Sequence, residues 1–233
     1  FELPRSSWED YNQNVISFGG GIFPRTAKTI ELSHEVKEVL GIDQGIASMS
    51  PNELLASILK APVDLVWNGG IGTYIKASTE THAQVGDKAN DGLRINGSYL
   101  RCKVVGEGGN LGATQLGRIE AARAGVRINT DAIDNSAGVD TSDHEVNIKI
   151  LLNQAMETSN LNIEQRNTLL GSMTDEVGHL VLRDNYEQNT ILEQSRTQAP
   201  VMLRVHQRLI HTLEASGLLN RAVEYLPADS AID

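Results

Sequence analysis

Apolar positions in the first half of the chain gather into three short runs: Val63-Asp64-Leu65-Val66-Trp67, Arg101-Cys102-Lys103-Val104-Val105, and Val126 to Ile133. Each has the length of a buried strand and each opens into a small polar loop. The loops are Asn68-Gly69-Gly70, then Gly106-Glu107-Gly108-Gly109-Asn110, then Asp134-Asn135-Ser136-Ala137-Gly138. Between the runs the pattern turns helical. A polar helix is expected from Ser78 through Ala89, and another over 114–124, stopped by Gly125. Upstream, Ser33 caps a short helix through Leu40 that Gly41 closes. Ser50-Pro51 starts a second, with Leu54, Leu55, Ile58 and Leu59 at helical spacing and Pro62 at its end.

Strands alternating with helices predict βαβ units and an open parallel sheet. In such a sheet ligands bind beyond the carboxyl ends of the strands, where the three loops would converge. Beyond Ser142 the apolar period becomes 3.6. Val146, Ile150 and Met156 mark one helix, Leu169, Met173, Val177 and Leu180 another, and Val201, Val205, Leu209 and Leu213 a third, set off by Pro200 and stopped by Gly217. Glycine follows the same division: 18 of the 21 lie in residues 1–150. The fold class is therefore α/β, a partial parallel sheet followed by an α-helical C-terminal segment.

Composition narrows the function classes. A net charge of −10, with no Lys after Lys149, leaves no basic face for a phosphate backbone, which argues against nucleic-acid binding. No run of 18 apolar residues reads as a membrane span, and no signal-peptide pattern is present. The single cysteine, Cys102, cannot close an internal disulfide and fits a reducing, cytoplasmic compartment. The chain begins at Phe1 rather than Met, which raises the expectation of a piece of something longer.

Several motifs fail on inspection. Gly106 to Gly112 is not a dinucleotide fingerprint, because the third glycine would fall at 111, which is Leu. It reads instead as a backbone cradle in which Asn110 offers both a donor and an acceptor, or equally as a plain turn. His144-Glu145 lacks the second His of a zinc helix, since position 148 is Ile, and no metal site is expected. His206 and His211 read as solvated or capping residues. Taken singly, Asn68-Gly69-Gly70 is a common turn and Asn135 to Val139 a helix cap. Their shared position at strand ends favours a site, because independent turns have no reason to gather there.

The runs WNGGIGTY, VVGEGGNLG and DAIDNSAGVDTSDHEVN, within Val63 to Leu152, closely resemble the catalytic region of the very large bacterial NAD-specific glutamate dehydrogenases. The lead-in LPRSSWEDYNQNVISFGGGIFPRTAK and the tail SGLLNRAVEYLP resemble its flanks. The smaller hexameric glutamate dehydrogenases are fainter relatives. Their EGANGPTTPEA segment looks like Glu107-Gly108-Gly109-Asn110, and their NAGGVxxSxFEW segment like Asn135 to Glu145.

This resemblance implies a Rossmann-like sheet whose second half, residues 63–156, binds NAD, preceded by a lead-in with two short helices (1–62) and followed by a helical extension (157–233). It implies that Asn68, Gly69, Gly70, Glu107, Gly108, Gly109, Asn110 and Asn135 face the cofactor. It implies that Asn135, Val139 and Ser142 line the substrate pocket, with the Ser142 hydroxyl directed at the γ-carboxylate. The implied reaction is oxidative deamination of L-glutamate to 2-oxoglutarate and ammonium by a cytoplasmic homo-oligomer.

The family's phosphate-binding glycines, its acidic ribose residue and its catalytic Lys and Asp belong upstream of the matching portion, so no catalytic residue is expected in this chain and the fragment alone should be inactive. The alternative is a stand-alone half-Rossmann module for binding or assembly, without catalysis.

Overall fold

Helix boundaries follow the capping chemistry closely. In the computed structural model, which describes residues 6–232, the antiparallel pair β1 (Ile30–Glu31) and β2 (Ser48–Met49) brackets α1 (His34–Leu40). Residues 1–5, where the lead-in begins, lie outside the described part. Ser33 accepts from the Val36 N–H, and Gly41 ends α1 at φ +63°. Helix α2 (Pro51–Leu59) starts with a complete capping box between Ser50 and Glu53. Arg101 donates to the carbonyls of Leu40 and Lys60, so one guanidinium closes the carboxyl ends of both helices.

The central sheet is parallel, in the order β3 (Leu65–Asn68), β6 (Val104–Glu107), β7 (Arg127–Ile128). A second parallel pair, β4 (Ile75–Lys76) with β5 (Ile95–Asn96), lies between β3 and β6 in the chain and was not expected. The predicted helix over 78–89 shrinks to α3 (His82–Val85) and a 3-10 turn at Lys88–Asn90. Helix α4 (Gln115–Arg123) matches its expectation, capped by the Thr114 hydroxyl on the Gly117 N–H. The core comprises Ile75, Ile95, Leu100, Cys102, Val105, Ala113, Ala121 and Val126. Burial among them pushes the Cys102 thiol up, leaving an unreactive apolar filler.

The chain divides into two units, Phe1–Asn129 and Thr130–Asp233. The second is entirely helical in its regular elements: α5 (Asp131–Asp134), α6 (Ser136–Thr158), α7 (Ile163–Ser172) and α8 (Thr174–Ala215). The apolar run predicted as a strand over 126–133 therefore pairs only at 127–128. From Asp131 it is helix, because Thr130 stands extended ahead of an acidic first turn. The helix expected across Leu169, Met173, Val177 and Leu180 breaks at Met173, between α7 and α8, whereas α8 runs unbroken through Pro200 into the third expected helix. Pro200 and Arg196 both face solvent, so water can satisfy the Arg196 carbonyl that the missing proline N–H leaves free.

Candidate functional site

Parallel register brings Asn68 opposite Glu107 at the carboxyl ends of β3 and β6. Both strands then turn away through glycines. The N–H groups of Gly108 and Gly109 donate to the Asn68 carbonyl at 2.9 and 3.0 Å, locking the second loop onto the end of the first strand. The approach is backbone to backbone. A Cβ on Gly109 would lie 2.2 Å from the Gly70 carbonyl oxygen, and one on Gly112 would lie 2.0 Å from Asn68 Nδ2. Only glycine fits at 109, where the obstacle is backbone; at 112 a side chain would have to displace the Asn68 amide.

The polar groups here have distinct states. Glu107 has no accessible surface, and its carboxylate meets the Arg118 guanidinium of α4 at 2.9 Å. That pairing is what allows a charge at the end of a buried strand. Asn68 is half-buried. Its Oδ1 accepts weakly from the Gly70 N–H at 3.4 Å, while its buried Nδ2 finds no hydrogen-bond partner among the described residues. Gly70 has nothing within 4 Å of where a side chain would project. Asn110 is exposed at the tip of the second loop. An unspent donor beside open backbone suits a ligand that presents an acceptor.

On the opposite face Trp67 lies over the same strand end. A Cβ on Gly106 or Gly108 would meet its indole at 2.7 or 2.5 Å, so those two glycines seat a tryptophan that is itself 61% exposed. Beside the site, within the first unit, an apolar hollow of about 560 Å³ is lined by α2, Val66, Val105, Asn68, Gly70, Glu107 and Gly112.

Asn135, Val139 and Ser142 belong to the second unit. Asn135 joins α5 to α6 and is not the loop residue expected, since α6 begins directly after it. The three positions, spaced by four and three, therefore share one stripe of a helix, on which Val139 and Ser142 are exposed. Asn185 of α8 pins the junction, donating to the Ile133 carbonyl at 3.1 Å and the Ser136 hydroxyl at 2.9 Å.

Sequence reasoning also missed a juxtaposition in this unit. Asp140 and His144, one turn apart on α6 at 3.2 Å, stand with Asp184 of α8 so that one ligand atom from each falls within 4.8 Å of the others. A search for local metal spacing stops at position 148 and cannot reach a residue on another helix.

A parallel sheet with paired glycine loops at its strand ends places the chain in the α/β class, with its candidate site at the strand ends. Residues 1–195 match the family described as bacterial NAD-glutamate dehydrogenase, catalytic domain. The whole chain aligns with curated proteins named NAD-specific glutamate dehydrogenase: 56% identical in Halomonas elongata, 55% in Pseudomonas aeruginosa and 54% in Mycobacterium tuberculosis. It spans 14% of the length of each. The chain belongs to the bacterial NAD-glutamate dehydrogenase catalytic-domain family. No helix of the described residues is long and apolar enough to cross a membrane.

Proposed function

We propose that this chain supplies the nicotinamide-side and substrate-side loops of an NAD-dependent glutamate dehydrogenase, which converts L-glutamate to 2-oxoglutarate and ammonium. The observation that carries the reading is the clasp at the ends of β3 and β6, where Asn68 Nδ2 has no hydrogen-bond partner among the described residues and open space lies beside Gly70, next to a glycine at 109 that admits no side chain. NAD, when bound, supplies the hydride acceptor. Asn68, Gly69, Gly70, Gly108, Gly109 and Asn110 would hold it. Glu107, sealed against Arg118, would fix the loop from beneath. On the family resemblance, Asn135 is assigned a contact with NAD, and Val139 and Ser142 are assigned to the glutamate pocket.

The acid and base belong to the remainder of the parent protein. A reducing, cytoplasmic setting is in keeping with the one buried thiol of this chain, and a homo-oligomeric parent is carried over from the family resemblance alone.

Ser142→Ala in the parent enzyme tests the substrate assignment. Losing a hydroxyl that meets a carboxylate should weaken glutamate by about 1–3 kcal/mol and leave NAD nearly untouched. Equal losses for the two ligands in steady-state kinetics would contradict it.

A further inference from the structure

Leu111 lies within the second glycine loop and adopts φ +57°, one of only two non-glycine residues with positive φ among the described ones. A left-handed leucine is held against its own preference, and such strain persists only where the surroundings over-determine it. Packing does not do so here, since Leu111 is 65% exposed. Hydrogen bonds do. The Leu111 carbonyl accepts from the Thr73 hydroxyl at 2.7 Å, and the next carbonyl, Gly112, accepts from the N–H groups of Tyr74 and Ile75 at 2.8 and 3.1 Å.

Thr73 is itself fixed at every polar atom. Its N–H donates to Asp87 Oδ2 at 2.8 Å, and its carbonyl accepts from Arg94 Nε at 2.7 Å. The Arg94 side chain is fully buried and spans the segment, donating also to Asp91 Oδ1 at 2.7 Å and to the Asp87 carbonyl. Hydrogen bonds from Asn90 and from the Thr73 N–H stabilise the Asp87 carboxylate and hold its pKa below the usual carboxylate range. Gly72, at φ +133°, lets the chain enter this clamp.

We infer that Thr73, clamped between Asp87 and Arg94, is a positioning residue that holds the loop from Gly108 to Gly112 in its ligand-ready shape. It touches no ligand in this account and acts through the Leu111 carbonyl. The inference rests on the reading of that loop as a cofactor contact.

Two substitutions in the full-length parent enzyme test it. Thr73→Val keeps shape and removes the hydroxyl, while Thr73→Ser keeps the hydroxyl. Hydrogen exchange without cofactor should be faster across 108–112 in Thr73→Val and native in Thr73→Ser. The KM for NAD should rise about tenfold in Thr73→Val, with the KM for glutamate within about twofold, and return in Thr73→Ser. Native exchange at the loop in Thr73→Val overturns the clamp whatever the cofactor does. Faster exchange with an unchanged KM for NAD overturns the positioning role, as does failure of Thr73→Ser to rescue. If instead NAD gives the wild-type enzyme no protection at 108–112, the cofactor reading fails, and the clamp is then judged on cofactor-free exchange alone. Should Thr73→Val fail to fold, Thr73→Ala provides the second arm: it too removes the hydroxyl that reaches the Leu111 carbonyl, so it should show the same faster exchange at 108–112 and the same rise in the KM for NAD, and native values of either would overturn the proposal.

Discussion

Gly109 shows how narrowly one residue fixes the candidate site. The two loops meet there with no room for a methyl group, because the obstacle at 2.2 Å is a carbonyl oxygen and not the mobile end of a side chain. Gly109→Ala should destabilise the chain by about 1–3 kcal/mol, the range for overpacking, measured by urea denaturation. Gly70→Ala, with open space around it, should cost far less. Glu120 of α4 fixes a second point. Burial opposes its charge, yet hydrogen bonds from Ser78 and Ser98 outweigh that and hold its pKa to about 2, against an ordinary 4.5. A lowered carboxyl pKa stabilises the fold above about 4.5, and that contribution is lost as pH falls from there toward about 2. Glu120→Gln should therefore be less stable than the native chain at pH 7, with the gap shrinking by pH 3 in paired denaturation curves.

Elements were legible where local chemistry decides them. Ser33 and Gly41, Ser50 and Glu53, and Thr114 mark helix ends by hydrogen bonds made within a turn, and all three helices lie where the pattern put them. Strand ends were not legible to the residue. β6 runs two residues past Val105 into Gly106 and Glu107, because Glu107 is neutralised by Arg118 eleven positions away and Gly106 is required by Trp67 on the neighbouring strand. Neither partner is visible in local periodicity. The candidate site was legible as glycine loops at strand ends, while Thr73, Asp87 and Arg94 were not. Their hydrogen bonds run between backbone and side chain across intervals that carry no motif. Proline misled for a related reason, since a helix exposed at that turn tolerates the lost bond. Pro200→Ala should lengthen no helix, but should stabilise α8 by up to about 3 kcal/mol, read as a higher thermal midpoint for the second unit. An unchanged midpoint would show that the helix breaks there in solution.

At the scale of the molecule, much apolar surface stays uncovered. Leu65 and Trp67 of β3 are exposed, as are Leu182, Tyr186, Ile191 and Val201 of α8, while in the second unit only Leu152 and Val181 are buried hydrophobic residues among those described. Such surface is what a segment of a longer enzyme leaves bare, in keeping with relatives of which this chain matches 14%. The clasped ends of β3 and β6 are the proposed seat of the cofactor. Hydrogen exchange of the full-length parent with and without saturating NAD tests it most directly. If the cofactor sits there, NAD slows exchange in the peptides covering 68–70 and 108–110 while the exposed turns of α8 exchange as before; equal exchange in both loops with and without NAD would rule that seat out.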